Sequence, residues 1–289
     1  MNHVQLNKNG IKQMKKIFNN TIKKQISAHA INNDINGIIT ILENFLQGVT
    51  DIKVMTNEYF MLKFLNWLKT GGKLPHAVFT IGNSKLPFLS FSTLPAVTCP
   101  GAGDCLTYCY SFKAWRQPSA FFRQVQNTLL MHDFNLIQPE LNKILLRPTF
   151  RRADKIDFRL YVDGDFSSIT DLKNWMQLLE NNPKINAYGY SKSLNLFLQL
   201  HDQDFKFPSN YVLNLSNGGK FDMLRDILIT LPFVRGNFTA VNGTKKEIRK
   251  QFKNKVFICP GDCGNCTNKG HACGNMDIFN NMEIVIPLH

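Results

Sequence analysis

Short apolar runs alternate with longer helix-like segments from residue 77 onward, and this alternation restricts the fold more than any other feature of the chain. Strands that alternate with helices pair in parallel, with the helices packed outside the sheet, in either a barrel or an open sheet. The sequence therefore predicts an α/β fold with about five strand–helix repeats. The strand-like runs are residues 77–81, 87–91, 156–162, 185–190, 211–215, 238–241 and 256–258.

The cysteines fall into two groups, and each group follows a predicted strand. The polar turns 163–165, 191–193 and 242–243 also follow strands. Ligand chemistry in parallel α/β folds collects at the C-terminal ends of the strands, so we predict one functional site at that edge of the sheet. The predicted metal ligands are Cys99, Cys105 and Cys109 in the first cysteine group and Cys259, Cys263, Cys266 and Cys273 in the second.

Three thiolates on one short loop can hold a metal or an iron–sulfur cluster and leave one coordination position open. For the first cysteine group we therefore expect a cluster, with structural zinc as the alternative. The second group supplies four thiolates, which close one centre; iron–sulfur and zinc both stay open there, and His271 is a further candidate ligand. Because the N-terminus lacks the apolar core of a signal peptide, we expect reduced ligands in the cytoplasm and not disulfides.

The chain carries a formal charge of +13, from 34 Lys and Arg against 21 Asp and Glu. This surplus favours an acidic partner, with nucleic acid first and an anionic membrane surface second, and improved solubility is the alternative reading. No apolar run approaches the length of a membrane span.

We predict a basic helical N-terminal region over residues 1–73, with helices near 11–26, 35–47 and 57–69. A βα region over 74–258 and a cysteine-rich segment over 259–289 follow.

The segment Cys105-Leu-Thr-Tyr108-Cys109-Tyr110 resembles the cluster loop of the radical S-adenosylmethionine enzymes, although its cysteine gaps of five and three residues are longer than in that family. The resemblance implies a partial (βα)6-type, TIM-like barrel and a 4Fe–4S cluster whose open iron binds S-adenosylmethionine. It also implies that Tyr108 packs near the adenine and that Asp163-Gly164-Asp165 receives the amino group of the cofactor. The other implied contacts are Ser191, Lys192 and Asn242, and the catalytic candidates are Asp165 and Lys192.

Several phrases narrow the resemblance: Ser92-Thr-Leu-Pro95, Thr98-Cys-Pro-Gly101, Cys109-Tyr110, Asp163-Gly-Asp-Phe166, Tyr188-Gly-Tyr-Ser-Lys192 and Ile284-Val-Ile-Pro-Leu-His289. Together they are similar to the phage and plasmid proteins called gene product eighty-eight, a resemblance that implies a mobile-element protein and names no reaction.

The leading hypothesis is an iron–sulfur, radical S-adenosylmethionine-like enzyme that acts on a nucleic acid or nucleotide. One alternative is a non-enzymatic, metal-stabilised protein that binds nucleic acid in phage or plasmid replication or regulation. Another is a redox sensor whose cluster controls such binding.

Overall fold

A computed structural model of the chain describes residues 18–47, 56–253, 256–267 and 271–288. These residues form a seven-stranded parallel sheet with the spatial order β1-β2-β3-β4-β5-β7-β6. The strands are β1 (Leu89–Ser90), β2 (Ile156–Leu160), β3 (Ile185–Ser191), β4 (Tyr211–Ser216), β5 (Val234–Val241), β6 (Val256–Ile258) and β7 (Glu283–Pro287).

Helices connect most of these strands, and the first three helices precede the sheet. No helix within the described ranges is both long enough and apolar enough to cross a membrane. The α-helices are α1 (Asn20–Ile31), α2 (Ile35–Gln47), α3 (Thr56–Thr70), α4 (Pro118–Leu130), α5 (Ile137–Leu145), α6 (Pro148–Arg152), α7 (Ile169–Glu180), α8 (Leu194–His201), α9 (Arg225–Leu228), α10 (Lys245–Gln251), α11 (Cys263–Thr267) and α12 (Met276–Phe279).

The spatial order of the strands follows the chain from β1 to β5 and then departs from it, because β7 lies between β5 and β6. The outer strands β1 and β6 each pair with one neighbour, so the described sheet is open. The predicted α/β class with parallel strands is confirmed. Its description as a partial barrel of the radical S-adenosylmethionine type stays a prediction.

Two predictions about the strands are wrong. Residues 77–81 form no named strand, and the pairing described for them is an antiparallel bridge between Thr80 and Ser90. The last strand is β7 and not residues 256–258. The periodicity of apolar residues does not show whether runs as short as these are strands. The proline that ends β7 makes this segment an unexpected strand, because proline is uncommon in strands inside a sheet.

The two faces of the sheet carry different layers, since successive side chains of a strand point to opposite sides. On one face, Phe158 of β2 and Leu213 of β4 pack with Trp175 of α7 in the main core. On the other face, Tyr188 and Val212 pack against the cysteine-rich C-terminal segment. The second cysteine group therefore lies on the face of the sheet opposite the main core.

The N-terminal helices pack against α4 through aromatic side chains. The ring centroid of Phe18 lies 5.7 Å from that of Phe45 and 5.7 Å from that of Phe122. These rings belong to a cluster separate from the main core. The predicted helices at 35–47 and 57–69 are confirmed as α2 and α3, whereas the start of the first predicted helix lies outside the described residues.

A buried hydrogen-bond network fixes the point where β2 passes into α7. Tyr161 has a left-handed backbone (φ 55°), and its hydroxyl lies 2.8 Å from both carboxylate oxygens of Asp171. The Trp175 indole donates to the same hydroxyl at 3.0 Å, and Ser168 caps α7 by accepting from the amide of Asp171. Burial raises the pKa of the Asp171 carboxyl to about 7, although hydrogen bonds from Ser167 and Tyr161 oppose this shift.

Replacing Asp171 with Asn is expected to flatten the pH dependence of stability. A buried carboxyl with a raised pKa favours the folded state while it is protonated. The wild type should therefore lose stability as pH rises from about 4 to about 7, by at most about 1.4 kcal/mol per pH unit. Because the amide does not titrate, Asp171→Asn should lose less. Thermal melts across this range measure the difference, and equal losses in the two proteins would contradict the assignment.

Candidate functional site

A glycine-rich loop carries the first cysteine group from β1 to the C-terminal ends of β3 and β4. The amide of Lys220 donates to the carbonyl of Gly101 at 2.8 Å, and the amide of Cys105 donates to the carbonyl of Gly218 at 3.0 Å. A Cβ added to Gly101 would lie 2.0 Å from the carbonyl oxygen of Lys192, so this close approach requires glycine. The loop is therefore held against the turns that follow two neighbouring strands.

In the first cysteine group, the Cys109 thiol is within electrostatic reach of both Cys99 and Cys105. Burial raises the pKa of the Cys99 thiol, and the nearby Asp165 and Cys109 raise it further. Burial also raises the pKa of Cys105, where the Lys192 ammonium acts in the opposite direction and Cys109 again adds to the rise. None of these three cysteines forms a disulfide. The role of these three cysteines as ligands of one metal centre stays a prediction.

Asp165 is buried, and its carboxylate holds the turn after β3. One oxygen accepts from Ser191 Oγ and from the amide of Phe166, both at 2.8 Å. The other accepts from the amides of Lys192 at 2.8 Å and Ser193 at 3.2 Å. A carboxylate offers about four acceptor sites, and these donors occupy them. Asp165 therefore joins the end of β2 to the end of β3, while its predicted contact with a cofactor stays a prediction.

Lys192 places a cation beside the first cysteine group. Its Nζ donates to Ser216 Oγ at 2.5 Å, so the side chain reaches from the end of β3 to the end of β4. Its charge acts on both the Cys105 thiol and the Asp165 carboxylate. Lys192 is half-buried. Backbone donors surround the charged group of Asp165, the other predicted catalytic residue. They do not surround the charged group of Lys192.

Tyr108 lies against the same glycine turn as its neighbouring cysteines. Burial raises the pKa of its phenol, and the Cys105 thiol raises it further. A Cβ at Gly218 would lie 2.4 Å from the Tyr108 hydroxyl, and Gly218 has a left-handed backbone (φ 78°). The phenol therefore lies against the turn after β4, and its predicted contact with an adenine stays a prediction.

The turn after β2 is tightly packed around Asp163 and Gly164. Gly164 has φ 84°, and a Cβ there would lie 2.0 Å from Thr93 Oγ1. Asp163 accepts from Gln124 Nε2 at 3.0 Å, and burial raises the pKa of its carboxyl. Asn242, the last of the predicted cofactor contacts, is exposed at the end of β5, one strand beyond β4. The predicted cofactor residues thus span four neighbouring strand ends, from β2 to β5.

The second cysteine group is tied to the sheet through backbone hydrogen bonds. The amide of Cys259 donates to the carbonyl of Val285 at 2.8 Å, directly after β6. The amide of Cys263, at the start of α11, donates to the carbonyl of Lys85 at 2.8 Å. Asn214 of β4 donates through Nδ2 to the carbonyl of Cys273 at 2.9 Å. Segments that are distant in sequence therefore hold the four predicted ligands over one face of the sheet.

The thiols of the second group are close enough to influence each other's ionisation. Burial raises the pKa of Cys259, and the Cys263 and Cys266 thiols add to this rise. Burial raises the pKa of Cys273 to about 12; a hydrogen bond from Tyr190 opposes the shift, while Cys259 and Cys266 add to it. Cys259 is thus a neighbour of the other three thiols. The role of these four cysteines as ligands of one metal centre stays a prediction.

The imidazole of His271 packs between aromatic rings. Its centroid lies 4.4 Å from that of Phe88, in a stacked arrangement, and 4.6 Å from that of Tyr188. Its Nδ1 lies 3.8 Å from Asp157 Oδ2, and its Nε2 is buried without a hydrogen-bond partner. Burial lowers the pKa of this imidazole. The role of His271 as an alternative ligand stays a prediction.

Two arginines on the same face of the sheet were missed by sequence reasoning. Arg159 of β2 is within electrostatic reach of the Cys263 thiol, and Arg235 of β5 is within reach of the Cys273 thiol. Both occur inside strands that are covered on both faces. A charged residue in such a strand is the signal that could have identified them, because arginine is rarely buried unless it is paired.

Within the described ranges, no group of three or more His, Cys, Asp or Glu side chains has the arrangement of a metal-ion site. A cleft of about 270 Å³ lies beside Asp165 and reaches Asp171. The described lining of this cleft contains no cysteine. Hydroxyl-bearing side chains form most of its wall, namely Thr93, Thr98, Thr128, Tyr161, Ser167, Ser168 and Thr170.

Comparison with known proteins gives a match over most of the chain. The family profile described as Gene product 88 matches residues 64–275, a range that contains both cysteine groups. The chain is also 24% identical over 137 residues to the "Gene 88 protein" of Mycobacterium phage L5, and this match covers 42% of the chain and 55% of that protein. The chain thus matches little more than half the length of this curated relative. No solved structure matches the chain.

Replacing Gly101 with Ala should displace the first cysteine loop. The added methyl group meets the backbone of Lys192 at 2.0 Å, and overpacking of this kind costs about 1 to 3 kcal/mol. We expect lower stability in urea and faster labelling of Cys105 by a thiol reagent. Gly72→Ala is the control, because a Cβ there meets nothing within 4 Å and adds only the strain of a left-handed backbone. Equal effects of the two substitutions would show that the close contact at Gly101 is unimportant.

Proposed function

The chain belongs to the Gene product 88 family, and from this premise we propose that it is a metalloprotein with two cysteine-ligated centres. The first cysteine group would hold a 4Fe–4S cluster with an open position, and the second group would hold a closed centre. The proposed activity is radical S-adenosylmethionine-like chemistry on a nucleic acid or nucleotide, in a sheet curved as a partial barrel. One observation carries the proposal: the loop that bears Cys99, Cys105 and Cys109 is hydrogen-bonded to the turn after β4 and packs on the turn after β3, at the C-terminal edge of a parallel sheet.

The donors of the first group suit an iron–sulfur cluster. Three thiolates leave one iron free for a small-molecule ligand. Binding requires the thiols to lose their protons and to turn towards one centre, so assembly should be favoured as pH rises. The Lys192 ammonium favours the thiolate form of Cys105 and therefore supports ligation.

A 4Fe–4S cluster held there would supply an electron to S-adenosylmethionine, whose cleavage yields a carbon radical that abstracts hydrogen from a substrate. The residues of this chain would bind and orient that cofactor. Lys192 can pair with a carboxylate or phosphate, and Tyr108 offers a ring for the adenine to pack against. Asp165 acts as a positioning residue, because it holds the backbone of Lys192 and Ser193. The Asp163–Gly164 turn, Ser191 and Asn242 are the remaining proposed contacts.

The second cysteine group would close a metal centre with four thiolates. Both zinc and a 4Fe–4S cluster accept this ligand set, so both remain candidates. Cys266 and Cys273 are buried, and the group packs on Tyr188 and neighbouring apolar side chains. A centre in this position would brace the C-terminal segment against the sheet or transfer electrons to the first cluster.

The basic helix α10 supports a nucleic-acid partner and favours a second candidate function. Its Lys245 Nζ donates to the carbonyl of Pro260 at 3.4 Å, which places the helix next to the loop of the second cysteine group. A metal-braced protein that binds nucleic acid without catalysis would also use this surface. The exposed cations of the helix and its C-terminal turn are Lys245, Lys246, Arg249, Lys250 and Lys253.

The enzymatic proposal is tested by the formation of 5′-deoxyadenosine. Anaerobically prepared, reduced protein is incubated with S-adenosylmethionine, and the product is measured by chromatography. We expect product from the wild type and none from Cys109→Ala, since Cys109 is the common neighbour of the other two thiols. Thr107→Ala is the control, because Thr107 is an exposed residue of the same loop. A cluster-loaded wild type that forms no product would contradict radical chemistry and favour the binding function.

The nucleic-acid partner is tested by the salt dependence of binding. The double substitution Lys246→Gln, Lys250→Gln should weaken binding to single-stranded or duplex oligonucleotides and lower the slope of log affinity against log salt by about two units, because each lost phosphate contact removes about one. Lys143→Gln, Lys173→Gln removes two exposed lysines from other helices and serves as the control. Binding that is insensitive to salt, or equal effects of the two double substitutions, would rule out α10 as the binding surface.

A further inference from the structure

The second cysteine group lies on the same face of the sheet as the buried Arg235 and the half-buried Arg159, and within the described ranges neither guanidinium forms an ion pair with a carboxylate. We propose that Arg159 and Arg235 are the counter-charges of a tetrathiolate metal centre formed by Cys259, Cys263, Cys266 and Cys273. This inference rests on the proposed function, because it assumes that the second group binds a metal. It adds a role for two residues of the sheet and predicts the charge of the bound centre.

Arg235 is fully buried, and all its hydrogen-bond partners are neutral. Its Nε donates to Asn214 Oδ1 at 2.5 Å, and the same Asn214 donates to the carbonyl of Cys273 at 2.9 Å. The remaining guanidinium nitrogens donate to backbone carbonyls, at 2.6 Å for Met282 and 2.9 Å for Asn237. Carbonyl oxygens orient a guanidinium but do not neutralise its charge. Arg235 therefore reaches the second cysteine group through one amide side chain and retains an uncompensated positive charge.

The nearest acidic side chain does not pair with Arg235. Glu283 is within electrostatic reach, but the Cys273 thiol has the larger influence on the guanidinium. The Glu283 carboxylate accepts a hydrogen bond from Thr239. Within the described part of the chain, Arg235 forms no ion pair with a carboxylate. The anion closest to Arg235 in this arrangement would be a thiolate.

Arg159 is the second cation on this face of the sheet. Its guanidinium lies 4.9 Å from the centroid of the Tyr190 ring, and its Nη2 is 3.4 Å from the Tyr110 hydroxyl. Its Nε is buried and makes no hydrogen bond. The Cys263 thiol is among its charged neighbours, and the Asp163 carboxyl is within electrostatic reach but does not form an ion pair with it. Arg159 is therefore a half-buried cation over the ring of Tyr190, and that ring packs in the same cluster as the second cysteine group.

The charges balance if the second cysteine group holds a metal. Removing a charged side chain from water is costly unless an opposite charge compensates it. Four thiolates around a divalent zinc ion, or around an oxidised 4Fe–4S core, leave a net charge of about minus two. The two guanidinium groups supply the matching positive charge. The match holds for either metal, so it argues for a tetrathiolate centre without choosing between zinc and iron.

Cobalt binding to the full-length protein tests the inference, because a Co²⁺–thiolate site has a charge-transfer absorption that can be titrated. Arg159→Gln and Arg235→Gln should each weaken Co²⁺ affinity by about 10- to 100-fold, the usual cost of losing a residue that supports metal ligands. Arg159→Lys and Arg235→Lys keep the charge and should restore most of the affinity. Arg123→Gln is the matched control, since Arg123 is a partly buried arginine that donates to Thr80, and no cysteine is among the groups that shift the pKa of its guanidinium.

Far-UV circular dichroism and urea unfolding identify any variant that does not fold. Arg235→Gln removes several hydrogen bonds, so Arg159→Gln, which removes one long hydrogen bond and the contact with the Tyr190 ring, decides the test if Arg235→Gln is unfolded. Weaker cobalt binding by the Gln variants together with recovery by the Lys variants supports the inference. Unchanged cobalt affinity in Arg159→Gln overturns it, as does equal weakening in the Lys variants. A wild type that binds cobalt only through the first group, with Cys273→Ser unchanged, would instead refute the second centre of the proposed function.

Discussion

The buried carboxylate of Asp165 is the interaction on which the candidate site depends. It lies at the end of β2 and accepts hydrogen bonds from the backbone of Lys192 and Ser193 at the end of β3. The Lys192 carbonyl in turn forms the surface against which Gly101 packs. This chain of contacts helps to set the position of the Lys192 ammonium relative to the loop that carries Cys105. The free-energy cost of burying the Asp165 carboxylate is offset because hydrogen-bond donors occupy its acceptor sites. The carboxylate can therefore hold the backbone of the site in place.

The C-terminal segment completes the structure on the opposite face from the main core. Most parallel sheets are covered by helices on both sides, whereas this face carries the second cysteine group, the arginines Arg159 and Arg235 and a set of aromatic side chains. The strand β7 lies between β5 and β6 and pairs with both. This pairing helps to fix the C-terminal segment, because the cysteine-rich stretch connects β6 to β7. A metal centre there would replace the hydrophobic contacts that a covering helix normally provides.

The parts of the fold that could be predicted are those that local pattern determines. Alternating strand and helix segments predict the parallel sheet, and the position of the first cysteine group after a strand predicts its place at the C-terminal edge, whereas the second group packs on one face of the sheet. The position of β7 could not be predicted, since spatial order depends on pairing between segments distant in sequence. The bracing role of Asp165 was also out of reach, because its four donors come from backbone and hydroxyl groups that carry no motif. Arg159 and Arg235 could have been identified from the sequence, because each is a charged residue inside a covered strand.

The central claim is that two cysteine groups bind separate metal centres, and metal analysis of anaerobically purified protein tests it most directly. Iron, acid-labile sulfide and zinc are measured in the wild type and in Cys109→Ala and Cys273→Ala. The account predicts iron and sulfide in similar amounts in the wild type. It also predicts loss of the open cluster alone in Cys109→Ala and loss of the other centre in Cys273→Ala. A wild type that contains neither iron nor zinc, or variants that keep its full metal content, would contradict the account.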